Sequence, residues 1–130
     1  MMRKYPPLVS RANTTEATVP IIPRRFARVA VDLPARYAIE GQLGWRASMI
    51  DDLGGGGVRL QTEDDVAAGT IVVLQFELEG TPISVRARVA MSLYDRTRSR
   101  YIHGVAFTAI EPQQRERIVR RVDVLRGEAP

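Results

Sequence analysis

Residues 70–93 read TIVVLQFELEGTPISVRARVAMSL, a pattern that points to paired β-strands. Thr70–Leu78 is rich in β-branched and aromatic side chains, the composition of a strand. Gly80–Pro82 then turns the chain. In Ile83–Leu93 the apolar Ile83, Val85, Ala87, Val89 and Met91 recur at every second position. That period of two puts all five on one face of a half-buried strand. The stretch is therefore a hairpin with one wet face.

The same period appears on both sides of it. Upstream, Phe26–Ile39 alternates Val29, Val31, Leu33, Ala35 and Tyr37 with Ala30, Asp32, Pro34, Arg36 and Ala38. Pro34 cannot donate to a ladder, so this strand is expected at an edge or with a bulge. Trp45–Ile50 is a short second strand, and an acidic, glycine-rich turn from Asp51 to Gly57 follows it. Val58–Thr62 alternates again, and Glu63–Gly69 is a polar connection. Downstream, Asp95–Arg100 is a basic loop and Tyr101–Ile110 supplies a last strand. Beyond Pro112 the period changes. Ile118, Val122 and Leu125 fall at helical spacing, with Val119 beside them, and Gly127 ends the helix. Six strands joined by short turns and closed by one helix imply a mainly β chain. The expected architecture is a small six-stranded antiparallel barrel with a C-terminal α-helix on one end.

Residues 1–23 read as a flexible N-terminal tail, because Pro6, Pro7, Pro20 and Pro23 break regular structure and Ser10–Thr18 is polar and aperiodic. The folded domain is expected over 24–126, with a short tail over 127–130. The charge is uneven. Arg3, Lys4, Arg11, Arg24, Arg25 and Arg28 face only Glu16, so residues 1–28 carry a net +5 of the chain's +4, and the rest is close to neutral at −1. A broad nucleic-acid-binding face is not implied. No apolar run reaches the ~18–20 residues a membrane span needs, and Met1–Ser10 lacks a signal-peptide core. With no cysteine, disulfides and thiolate chemistry are excluded. A cytoplasmic location is expected.

Catalysis finds little support. His103 is the only histidine and reads as a rim residue without catalytic partners. Asp51 with Asp52, and Asp64 with Asp65, are neighbours that point to opposite faces of an extended chain and read as turn formers. No metal site or cofactor is expected, and the chain reads as a non-enzyme. Two other elements carry chemistry. Arg24, Arg25 and Arg28 lie where the tail meets the first strand, and guanidinium groups bind phosphate or a guanine edge in a bidentate fork. Asp52–Gly57 combines a carboxylate suited to guanine N–H donors with four glycines that permit close backbone approach.

Together these elements resemble the PilZ domain, a bacterial receptor module for cyclic di-GMP. Arg24 and Arg28 match the family's RxxxR motif, and Asp52 and Gly57 match the ends of its D/NxSxxG motif. Val58-Arg59-Leu60 is similar to the following strand, and His103-Gly104-Val105-Ala106-Phe107 to a late-strand signature. The resemblance spans about residues 23–126 and implies a PilZ-type barrel. It implies cyclic di-GMP as ligand, with Arg24, Arg25, Arg28, Asp52, Gly54 and Gly57 as the binding residues. It also implies an output in which the tail changes conformation and signals to an unidentified protein effector. Gly54 replaces the motif's serine. Loss of one neutral hydrogen bond, roughly 0.5–1.5 kcal/mol, implies binding weakened by about tenfold. The alternative reading is a degenerate domain that binds no nucleotide and acts through protein contacts. A monomer or weak dimer is expected. A nucleic-acid-binding barrel would use Arg96, Arg98 and Arg100 with Tyr94 and Tyr101, and a solvated hairpin tip is the plainer reading of that loop.

Overall fold

Six strands close into an antiparallel barrel in the order β1-β2-β3-β6-β5-β4. They are β1 (Arg28–Ile39), β2 (Arg46–Gly54), β3 (Gly57–Thr62), β4 (Ile71–Leu78), β5 (Thr81–Asp95) and β6 (Arg100–Ala109), and the helix α1 (Pro112–Leu125) follows. The computed structural model describes residues 26–127, so the expected tail over 1–23, Arg24 and Arg25, and all of the expected tail over 127–130 but Gly127 lie outside it.

The β4–β5 hairpin forms as its alternation requires, with Leu74 opposite Val85 and Phe76 opposite Ile83. Its turn is Glu79–Gly80, one residue earlier than read, and both residues have positive φ (53° and 79°). Two left-handed residues make a type I′ turn, whose twist matches the strands it joins. Pro82 therefore lies inside β5. It is tolerated because β5 pairs with β6 only from Arg86 onward, leaving one side of Pro82 without a ladder. Pro34 obeys the same rule, since β1 meets β4 only from Ala35. A bulge also falls between Ala30 and Leu33.

The inward set is the one alternation selects. Tyr37, Ile50, Leu53, Val58, Leu60, Leu74, Phe76, Ile83, Val85 and Val89 are buried together, and Ile118 and Val122 of α1 join them. Pro112 stands in the first turn of α1, where its missing N–H costs nothing. Leu125, read as the third member of the helix stripe, is instead 42% exposed. The barrel covers only the part of α1 that carries Ile118 and Val122.

Bulges account for two further departures. In β5 the register shifts between Val89 and Met91, so Met91 leaves the inner face and lies 43% exposed. Its side chain rests on Gly104, whose absent Cβ makes the room. In β2 the register shifts between Ile50 and Asp52, and buried Ile50 and Leu53 are three apart rather than two. Asp51 and Asp52 are thereby strand residues, not part of a turn. His103 corrects a third reading. It is not a solvated rim or edge residue but 1% exposed, paired in the barrel wall with Leu60 and Ser92.

Candidate ligand-binding site

The β2 bulge sets the geometry of the site. An extra residue between Ile50 and Leu53 lets both aspartates bond to neighbouring strands while the apolar pair stays in the core. Asp51 turns toward β3. It accepts from Arg59 Nε at 2.6 Å and Gln61 Nε2 at 2.7 Å, and Arg98 approaches to 3.5 Å. The hydrogen bond to Asp51 is the main reason that the Arg59 pKa is raised. Asp52 turns toward β1, where Arg28 Nε donates to its Oδ2 at 2.7 Å.

Arg28 opens β1 and pairs in register with Gly54. The side chains of Arg28 and Asp52 keep 24% and 20% of their surface, so the pair is neither buried nor freely solvated. Only Nε and Oδ2 are used. The terminal amino groups of Arg28 and Oδ1 of Asp52 have no partner among the described residues. A cation with two open amino groups and a carboxylate with an open oxygen therefore stand side by side, available to a ligand with both anionic and N–H edges. Of the residues read as binding residues, the structure brings together Arg28, Asp52, Gly54 and Gly57.

The glycines have a different role from the one their sequence suggests. The turn itself is only Gly55–Gly56, because Gly54 and Gly57 are the last pair of the β2–β3 ladder. None of the four has a positive φ, so backbone freedom is not what they supply. They supply space. A Cβ on Gly57 would stand 2.2 Å from the Val105 carbonyl oxygen, and one on Gly55 2.7 Å from Val119 Cγ2 and 2.8 Å from the Phe26 ring. On Gly54 it would stand 3.0 Å from both the Ala27 carbonyl oxygen and Arg28 Cγ. The turn carbonyls are held by protein as well. Gly55 accepts from Arg115 Nε at 3.0 Å and Gly56 from the Phe107 N–H at 2.9 Å. Arg115 also lies 5.3 Å over the Phe26 ring, and Arg126 donates to the Arg28 carbonyl at 3.0 Å. The turn is thus clamped between the start of β1, β6 and α1. Arg115 is not among the residues that sequence reading singled out, because its partners Gly55 and Phe26 lie far from it in the chain.

The arginine loop after β5 is engaged elsewhere. Arg98 faces Asp51 and Asp95, Arg100 lies 3.8 Å from Glu63, and Tyr94 and Tyr101 stack edge to face on each other at 4.9 Å. These contacts compete with any use of the loop as a stacking and phosphate-binding patch.

A family model described as the PilZ domain matches residues 23–123. The chain belongs to the PilZ family. The match includes the Arg28–Asp52 pair, the glycine turn and most of α1. No curated protein matches the chain. Among solved structures, the PilZ fold here is similar to the Bacillus subtilis inhibitor of motility MotI/DgrA, with a TM-score of 0.69 at 16% identity. That alignment covers 79% of this chain and 51% of the other, so the PilZ chain spans about half the length of that relative. The K. pneumonia MrkH–c-di-GMP complex aligns with a TM-score of 0.65 at 19% identity, covering 80% of this chain and 53% of that one. The PilZ domain of Escherichia coli YcgR with c-di-GMP aligns with a TM-score of 0.61 at 13% identity, covering 82% and 93%. At these identities the likeness carries the fold.

Proposed function

We propose that this PilZ domain is a receptor for cyclic di-GMP without catalytic activity of its own. The observation that carries the reading is the Arg28–Asp52 pair beside the side-chain-free Gly54 and Gly57, on a chain of this family. Cyclic di-GMP offers two phosphates and two guanines. In this reading the free amino groups of Arg28, with Arg24 and Arg25 upstream, take phosphate and guanine edges, and Asp52 takes guanine N–H donors. The MrkH and YcgR structures, which contain c-di-GMP, support a ligand of this class.

The output follows from where Arg24, Arg25 and Arg28 stand in the chain. Three cations that grip one ligand draw the chain N-terminal to Phe26 against the barrel, which changes the surface shown to a protein effector. Amide exchange with and without cyclic di-GMP tests both steps. Protection is expected at Arg28–Ala30, at Asp52–Gly57 and across residues 10–28. Unchanged exchange in all three segments at saturating nucleotide contradicts the reading.

One observation favours the second reading, a degenerate domain that acts through protein contacts alone. Arg28 Cγ and the Ala27 carbonyl crowd the position above Gly54, where the motif's serine would stand. Protection confined to residues outside these segments, caused by a protein partner and not by nucleotide, would select it.

A further inference from the structure

Among the described residues, His103 is a buried ionisable ring, 1% exposed, that the proposed ligand site does not use. It lies on β6 opposite Leu60, near the end of β3, and faces the β3–β4 loop over residues 63–70. Its Nε2 accepts the Val66 N–H at 3.1 Å. Its Nδ1 stands 3.4 Å from Thr62 Oγ1, whose own proton is committed to the Asp64 carbonyl at 2.6 Å. One protonation state satisfies this arrangement: a neutral ring with the proton on Nδ1 and a lone pair on Nε2.

The loop depends on that lone pair. Val66 is 4% exposed, so its N–H is an internal donor with no water to fall back on. The other ties of the loop are peripheral. Asp65 Oδ1 accepts from Ser92 Oγ at 2.8 Å, Arg46 lies 3.6 Å from Asp64, and Arg100 lies 3.8 Å from Glu63. At its far end the Gly69 N–H donates to the Val89 carbonyl, and the Val89 N–H to the Thr70 carbonyl.

We propose that His103 is a proton-sensitive latch that holds the β3–β4 loop across the barrel end and releases it on acidification. A proton taken from solvent onto Nε2 converts the acceptor into a donor. Two N–H groups then face each other, the Val66 bond is lost, and the buried ring carries a charge. The groups around the ring set where this happens. From the loop, Asp65 attracts the imidazolium, while Asp64 and Glu63 are engaged with Arg46 and Arg100. From β3 the Leu60 carbonyl also favours it, β5 presents the neutral Ser92, and β6 presents the Tyr101 ring at 6.4 Å. Burial opposes all of these and prevails, so the ring is held below its ordinary value. Asp65, freed from Ser92, is the group placed to receive the imidazolium once the loop moves.

Amide exchange of the intact chain between pH 7.5 and 5 tests this, corrected for intrinsic exchange and referenced to Val85 in the core. The Val66 amide and its loop neighbours are expected to lose protection relative to Val85. Below the ordinary imidazole value of about 6.5 the loss should be up to about tenfold per pH unit, until the folded ring also titrates. In Asp65→Asn, which removes the attracting carboxylate, the midpoint of the loss should move to lower pH. In His103→Gln, whose amide oxygen can accept from Val66 without titrating, the loss should disappear. Loop amides that keep their protection, that lose it only in step with Val85, or that respond unchanged in Asp65→Asn overturn the proposal.

Discussion

Arg28 Nε and Asp52 Oδ2 meet at 2.7 Å, 24 positions apart in sequence, because the β1–β2 register sets Arg28 beside Gly54 and the β2 bulge swings Asp52 toward β1. The contact holds one donor of the guanidinium and one oxygen of the carboxylate. It therefore orders the two groups without exhausting them.

That division of labour separates binding from folding. Arg28→Ala is expected to weaken cyclic di-GMP binding by at least about tenfold, since charge-assisted bonds are worth roughly 1.5–3 kcal/mol. Its stability cost should stay within about 1 kcal/mol, because the pair is partly solvated. Arg28→Lys keeps the charge but not the planar fork, and should recover only part of the affinity. Calorimetry paired with urea unfolding measures both quantities on each variant.

The glycines should rank by the space they leave. Gly57→Ala drives a methyl into the Val105 carbonyl and is expected to cost at least about 3 kcal/mol, through loss of β3–β6 pairing. Gly55→Ala displaces Val119 or the Phe26 ring, for about 1–3 kcal/mol. Gly56→Ala, whose nearest neighbour would be 3.4 Å away, should be nearly neutral. Gly54→Ser restores the family's hydroxyl only by pushing on Arg28 and the Ala27 carbonyl, so a cost near 1 kcal/mol is expected and no gain in affinity. Urea midpoints at constant slope give the order.

Stability should fall with acidification before the carboxylates titrate. His103 is held below its ordinary value of about 6.5 by burial, so in falling pH the unfolded chain takes the proton first. Its contribution is complete above pH ~6.5 and declines below it, by at most about 1.4 kcal/mol per pH unit until the folded ring also titrates. Because no other histidine exists in the chain, His103→Gln should flatten the profile between pH 6.5 and 5.5. Unfolding midpoints at three pH values in that range suffice.

The helix should divide sharply along its length. Ile118 is fully buried against the barrel, and Ile118→Ala should cost about 2–5 kcal/mol. Leu125→Ala, at a position 42% exposed, should cost well under 1 kcal/mol. Thermal unfolding of the two variants compares them directly.

The contrast between Ile118 and Leu125 shows what sequence can and cannot convey. Periodicity marks which residues share a face, and it assigned Val29 to Tyr37, Ile83 to Val89, and Ile118 with Val122 of α1 correctly. It does not say where a partner element ends, so Leu125 joined a stripe that the barrel does not reach. Nor does it register bulges, whose extra residue carries no composition of its own. Met91 and the Asp51–Asp52 pair were misplaced for that reason. His103 looked like a rim residue because its partners, the Val66 N–H and Thr62, lie on other strands and loops. Motif spacing brought Arg28, Asp52, Gly54 and Gly57 into one reading. It could not reveal that the glycines make room for Val105, Val119 and Arg28 rather than for a flexible backbone.

Calorimetric titration with cyclic di-GMP, against GTP and cyclic AMP as controls, decides whether the Arg28–Asp52 pair belongs to a nucleotide site. Saturable binding of cyclic di-GMP alone is expected, lost or weakened at least tenfold in Arg24→Ala and in Arg28→Ala. No heat at high protein concentration, or binding that both arginine variants retain in full, would contradict it.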